Sequence, residues 1–303
     1  MYPKLDDILR ELVVCPLCKT DVTWLESECV CPACGQHFAC SSRGIWDFIP
    51  KHPTFLQTEQ LNRWLHAQAE YEGWYEKVHR LDDYNLYLAE MDSVREIYTS
   101  EFDIDGFILD VGGGDGRLRH FLPSSVLYLS VDPQVSMFDT LIERPNLLRA
   151  YPCLQEPCNF LRAQAEHLPL RAASFDCVHM RSVLDHFFDP CLALYEARRI
   201  LRPGGGLMIG VFIEGGASTR PRRSGFPVLM ERFRQKVRDE GWGAAIEVAT
   251  KRLVGHTEHD HHIWHPNLPE LLSLLGLTCF EAEKIHWQKP PYGQVVYIMA
   301  RKQ

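Results

Sequence analysis

The chain has 303 residues, 46% hydrophobic and 24% charged, with a formal net charge of −8. That balance excludes a disordered or fibrous chain, and the mild acidity gives no bulk pull towards nucleic acid. No run of about 18 apolar residues occurs, so no membrane span is expected. The start MYPKLDDILRELVV also lacks the basic-then-apolar order of a secretory signal, so a cytoplasmic setting is expected.

The first element in chain order is a pair of cysteine knuckles. CPLC (Cys15, Cys18) and CPAC (Cys31, Cys34) form a C-x2-C-x12-C-x2-C pattern within a chain of 11 cysteines. Without a secretion signal such spacing reads as metal binding rather than disulfides. Four thiolates close a tetrahedral shell, which suits structural zinc and leaves no open position for chemistry. Iron is a less favoured occupant, and Cys29 and Cys40 are near enough to act as substitute ligands. VTWLE and HFACSSRG supply strand-like text around the knuckles. A ribbon of roughly 40 residues is too small to fold well without its metal. The segment ending in RGIWDFIP resembles the Trm112-like zinc ribbon found at the front of some methyltransferases. That resemblance implies a structural or partner-binding role for residues 1–50.

Residues 51–103 read as a helical bridge or cap. Glycine and proline nearly vanish, and apolar side chains recur at helical spacing through Trp64, Leu65, Tyr71, Leu86, Leu88 and Met91. Such a face packs on the next domain, and some of its rings are candidates to line a pocket.

From residue 104 onwards, strand-like and helical stretches alternate, the signature of a parallel sheet covered on both faces. FILDV leads into a loop with Gly112, Gly113, Gly114 and Gly116, which lets backbone approach a ligand at the strand end. A dinucleotide fingerprint would need glycine where Arg117 stands. VLYLSVDP ends a second strand in Asp132, an acid able to accept both hydroxyls of a ribose. NFLRAQAEHLPL gives a third strand, expected to end at Gln164, Ala165 and Glu166. SFDCVHMRSVLDHF gives a fourth, and RRILRPGGGLMIGVFI a helix, a Pro-Gly turn and a fifth.

This series resembles the class I S-adenosylmethionine-dependent methyltransferases, in particular the methyltransferase type 11 group, closely over residues 105–213. The resemblance implies an α/β, Rossmann-like seven-stranded sheet with helices on both faces across residues 104–303. It implies an S-adenosylmethionine cofactor whose methionine moiety lies on the Asp110–Gly116 loop. Asp132 would hold the ribose, with Pro133 beside the adenine and Gln164, Ala165 and Glu166 along its edge. Arg181 and Ser182 would stand near the sulfonium. The group usually has Asp where Gln164 stands, which implies altered affinity rather than loss.

The acceptor is less legible. A hydroxyl needs a base, and His186, in RSVLDHFFDP, is the best placed after the fourth strand. A substrate-cap insertion is expected at about 214–262. Its stretch 220–238 is basic, and reads as a solvated helix, a clamp on an anionic substrate or an RNA-contacting patch. It runs into HTEHDHHIWH, which holds His256, His259, His261, His262 and His265. That run is expected to form a polar substrate wall, with His261 or His262 as its contact or as an alternative base; a catalytic metal is the minor reading.

The favoured reading is transfer of a methyl group from S-adenosylmethionine to a hydroxyl of a small molecule or glycan precursor. Two rivals remain. Zinc ribbon plus this core also resembles the guanine-N1 methyltransferases of ribosomal RNA, and a non-catalytic adaptor binding a protein through its ribbon is a third class.

Overall fold

The computed structural model describes residues 3–50, 59–213, 216, 262–289 and 294–303. The basic stretch 220–238, most of the expected cap insertion, and His256, His259 and His261 lie outside these residues.

In chain order the helices are α1 (Asp7–Arg10), α2 (Glu59–His79), α3 (Tyr84–Glu96), α4 (Pro145–Ala150), α5 (Pro190–Ile200) and α6 (Leu268–Leu277). The strands are β1 (Thr23–Trp24), β2 (Glu28–Val30), β3 (His37–Ala39), β4 (Trp46–Asp47), β5 (Phe107–Val111), β6 (Leu127–Asp132), β7 (Phe160–Arg162), β8 (Phe175–Arg181), β9 (Leu201–Phe212), β10 (Phe280–Trp287) and β11 (Val295–Lys302). Strands β1 to β3 make a small antiparallel sheet. The main sheet runs β10-β11-β9-β8-β5-β6-β7-β4, antiparallel at β10, β11 and β9 and parallel elsewhere. The seven strands expected after residue 104 are therefore present, and β4 adds an eighth at one edge.

Burial follows the sequence. Leu109, Val111, Leu129, Val131, Val178 and Met180 alternate through the middle of the sheet, all under 3% exposed. Near-continuous apolar strands of this kind need helices on both faces. Helix α5 starts where Asp189 accepts the Leu192 N–H at 3.0 Å ahead of Pro190, and it buries Ala193, Leu194, Ala197 and Ile200 at helical spacing. Helix α6 opens with a reciprocal Asn267–Glu270 capping box. The expected Pro-Gly turn before the fifth strand is instead absorbed into β9, where the register with β8 shifts between Phe175 and Cys177. After the glycine loop there is one 3-10 turn, Arg117–His120, where a helix was expected. Pro123 follows within three residues and gives the turn no room to propagate.

The N-terminal segment does not stand apart. Leu9, Val13, Cys15, Cys31, Phe38 and Phe48 share one core with Leu129, Leu161, Leu168 and Leu170. Strand β4 pairs with β7, Trp46 facing Leu161 and Asp47 facing Arg162, while Val13 bridges to Leu170. Lys19 reaches from the first knuckle to Glu196 of α5 at 2.5 Å and to the Leu168 carbonyl at 3.2 Å. Burying each large apolar side chain contributes about 1.5–3 kcal/mol. The sheet therefore supplies stability that a free ribbon would lack.

Candidate active site

The order of β5, β6 and β7 to one side and β8 and β9 to the other puts the switch point between β5 and β8. Ligands of open parallel sheets sit in the crevice outside such a point. A cleft opens there along the C-terminal strand ends, in two lobes that share Tyr71, Gly112, Asp132, Gln134, Ser182 and Val183.

The glycine loop forms the cleft floor. Gly112 has φ 69, and a Cβ there would stand 2.4 Å from Val183 Cγ1. A Cβ on Gly113 would meet the Asp110 carboxyl carbon at 2.5 Å and Ser130 Oγ at 2.7 Å. Only glycine fits either place. The loop is tied to β6 through the Gly112 N–H, which donates to the Val131 carbonyl at 2.7 Å, and through Ser130 Oγ, which donates to the Gly114 carbonyl at 3.1 Å.

Asp110 lies beneath that loop. It is 3% exposed, accepts from the Tyr128 hydroxyl at 2.6 Å, and pairs with His179 Nδ1 at 2.7 Å. His179 Nε2 in turn meets the Tyr98 hydroxyl at 2.9 Å. The carboxylate is therefore engaged in a buried polar chain that braces the loop from below.

Asp132 ends β6 at the junction of the lobes. It accepts from the Gln134 N–H at 2.8 Å and the Gly114 N–H at 3.2 Å. Burial nonetheless pushes its carboxyl up to about 7, with Asp110 and Asp115 adding to the rise. Pro133, Gln164, Ala165 and Glu166 line the lobe beyond it. The strand before these residues ends at Arg162, two positions earlier than its expected end. The Pro133 carbonyl accepts from Arg162 Nε at 2.9 Å, and Arg162 Nη1 pairs with Asp47 of β4 at 2.7 Å. The Glu166 carboxylate accepts the Asp189 N–H at 3.1 Å, so it steadies the entry to α5 as well as lining the cleft.

The other lobe carries, around Arg181, charges that sequence reasoning missed. Glu90 of α3 lies between Arg117 Nη1 at 3.2 Å and Arg181 Nη1 at 3.3 Å, and Asp115 accepts from Arg117 Nε at 3.2 Å. Burial alone would raise the Glu90 carboxyl, but the two guanidinium groups outweigh it and hold it below the usual range. Arg117 figured in the sequence only as an absent glycine, and Glu90 was not singled out at all. Tyr71 of α2 lines both lobes, and burial pushes its phenol up to about 12. Gln68 and Trp64, about one and two helical turns before it, line the first lobe, and the Trp64 indole donates to the His186 carbonyl at 3.1 Å.

Ser182 and His186 close the first lobe. His186 sits in the 3-10 turn Leu184–His186, its ring 5.0 Å from that of Tyr71 and 4.6 Å from that of His262. His262 Nε2 is 3.5 Å from Asp185 Oδ2, and the His265 ring is 5.7 Å from that of His262. One end of the histidine run thus lies beside His186, which lines the cleft; His261 is outside the described residues.

Outside the cleft lining, the thiols of Cys15, Cys18, Cys31 and Cys34 lie within 4.8 Å of one another, with Sγ–Sγ distances of 3.6 Å for Cys15–Cys34 and 3.3 Å for Cys18–Cys31. A tetrahedral zinc–thiolate shell with bonds of about 2.3 Å sets sulfurs about 3.8 Å apart, so this donor set fits zinc with little movement. Cys29 and Cys40 are not part of it. No helix among the described residues is long and apolar enough to cross a membrane.

Residues 109–209 match the methyltransferase domain family. The chain is 30% identical over 152 residues to the 27-O-demethylrifamycin SV methyltransferase of Amycolatopsis mediterranei, spanning 49% of this chain and 51% of that one. It is 37% identical over 108 residues to the ubiquinone/menaquinone biosynthesis C-methyltransferase of Hahella chejuensis, spanning 34% of this chain and 41% of that one. The match thus spans about half or less of these curated relatives. The crystal structure of the 1,6-didemethyltoxoflavin-N1-methyltransferase of Burkholderia thailandensis overlays with a TM-score of 0.50 at 16% identity, over 93% of this chain and 99% of that one, a likeness of fold. Residues 109–209, about a third of the chain, therefore carry a methyltransferase domain like that of the S-adenosylmethionine-dependent methyltransferases.

Proposed function

We propose that the chain transfers the methyl group of S-adenosylmethionine to a hydroxyl of a small molecule, with a glycan precursor among the acceptors to test. The observation that carries this reading is the cleft itself. It runs from the Glu90–Arg117–Arg181 charges, past Asp132, to the Asp185–His186–His262 corner.

In this reading the zwitterionic methionine moiety of the cofactor meets Arg117 and Glu90 above Gly112, Gly113, Gly114 and Gly116. Asp132 accepts the ribose hydroxyls, and Pro133, Gln164 and Ala165 flank the adenine. Arg181 holds Glu90, and Ser182 faces the sulfonium. The acceptor oxygen attacks the methyl carbon in line. The carbon–sulfur bond breaks, and its electron pair stays on sulfur, leaving a neutral thioether. The hydroxyl proton must leave, and His186 is our candidate to take it. Two of the relatives named above are an O-methyltransferase and a C-methyltransferase by name, and the imidazole corner is what favours oxygen here.

The test is transfer of label from S-adenosylmethionine to a metabolite extract and to host RNA in parallel. Label in the metabolite fraction, lost with His186→Ala while the S-adenosylhomocysteine product still binds, is the expected result. Label confined to RNA overturns the small-molecule reading.

We further propose that Cys15, Cys18, Cys31 and Cys34 hold structural zinc. The Cys15→Ser/Cys31→Ser variant is expected to lose zinc and melt at lower temperature, with only a few-fold loss of cofactor affinity. Unchanged metal content would sink that assignment.

A further inference from the structure

Among the described residues, a second set of side chains converges as metal donors: Asp185, His186 and His262, whose ligand atoms all lie within 4.8 Å of one another. Three observations mark them as a built site. The donors come from two separate segments, the turn after β8 and the chain before α6. Those segments are locked together, because the Ile263 and Trp264 N–H groups both donate to the Asp185 carbonyl, at 2.8 and 3.2 Å. The carboxylate is only 8% exposed while the His262 ring is 34% exposed, so the set has a buried base and an accessible rim. A cation beside a carboxylate interacts more strongly where water is largely excluded.

The distances suit a first-row divalent ion. With metal–ligand bonds of about 2.0–2.2 Å, neighbouring donors stand about 3–3.5 Å apart. The Asp185–His262 pair is already at 3.5 Å, and with every donor atom within 4.8 Å of the others the set has to draw in by little more than about 1 Å. Two imidazoles and one carboxylate favour manganese, iron, cobalt or zinc over magnesium or calcium, which take oxygen ligands, and such a triad leaves coordination positions open.

We propose that Asp185, His186 and His262 bind a divalent cation whose open positions face the cleft and take the acceptor oxygen. This rests on the reading that the His186 end of the cleft receives a hydroxyl acceptor, and it changes how that hydroxyl loses its proton. A cation-bound hydroxyl is more acidic. The O–H bond breaks with the proton passing to water, and the electron pair stays on the oxygen that attacks. His186 then works through the ion rather than as a free base.

The experiment uses the full chain with its cysteine site loaded with zinc, titrated with cobalt(II) chloride by calorimetry and visible absorption. The expected result is one further bound equivalent with nitrogen/oxygen-ligand d–d bands. His262→Ala and Asp185→Asn should each weaken cobalt binding by at least about tenfold. Cofactor-product affinity is the folding control and should hold in both variants. No further equivalent, cobalt appearing only with thiolate charge-transfer bands, or equal binding by His262→Ala would overturn the site. The same samples separate the two readings. Methyl transfer that is indifferent to chelator sinks the cation site and leaves the transferase. Cobalt bound at this triad with no transfer to any hydroxyl sinks the acceptor reading instead.

Discussion

At one end of the cleft, Glu90 hangs from a helix between Arg117 and Arg181, with Asp115 beside them. At the other, Arg162 links the Pro133 carbonyl to Asp47, which belongs to a strand and lies 65 residues ahead of Gly112 in the glycine loop. The first end is held by charge in a half-buried place, Glu90, Arg181 and Arg117 being 33%, 30% and 21% exposed, and one carboxylate serves two guanidinium groups. The second is held by strand pairing, and its one ion pair is more than a third exposed, a setting in which such pairs contribute little. Electrostatic support is therefore expected to fail steeply and backbone support gently.

Asp132, shared by both lobes, should show the largest effect. Two charge-assisted hydrogen bonds from ribose hydroxyls, at about 1.5–3 kcal/mol each, predict that Asp132→Ala loses about 100-fold or more in cofactor affinity. Its pH dependence follows from a carboxyl raised from 3.8 to about 7. The folded state holds this proton more tightly than the unfolded chain, so the group's contribution to stability falls as pH rises through that window. Ribose hydroxyls favour the ionised form. Cofactor binding should therefore tighten as pH rises through about 7, releasing a proton below it. Calorimetry in buffers of different ionisation enthalpy should see that proton, and Asp132→Asn should abolish it; an unchanged pH profile in the variant would break the assignment.

Next, Glu90→Gln should leave Arg117 and Arg181 facing each other without their shared counter-charge and weaken cofactor binding about tenfold, worth about 1.4 kcal/mol. High salt should narrow the gap between wild type and variant. An effect below about twofold would mean that the lobe does not hold the charged end of the ligand. The smallest change is expected for Asp47→Ala. The β4–β7 backbone pairing remains, so cofactor affinity should fall only about two- to threefold. A loss matching that of Glu90→Gln would erase the contrast between the two ends.

Much of the sheet was legible because its signals are local. FILDV, the glycine run and the acid at Asp132 each occupy a few consecutive residues, and parallel strands buried on both faces announce themselves as apolar runs. What the sequence hid was built from distance. A two-residue strand such as β4 has no periodicity to read, and its partner lies more than a hundred residues away. Asp185 and His262 meet through backbone bonds across 77 positions of sequence. His179 did leave a trace, as an imidazole inside the apolar run FDCVHM, which a polar partner had to satisfy; Asp110 is that partner.

The N-terminal segment has a consequence for synthesis. Asp6 waits for Asn159, and Val13 for Leu170. At about 5–20 residues per second, the roughly 150 intervening residues take about 8–30 s to emerge. Throughout that interval Phe38, Phe48 and Trp46 have no sheet to cover them. A metal ion captured early by the four cysteines would keep the two knuckles closed until β7 arrives, so zinc supply would set the yield of folded protein more than the stability of the finished molecule.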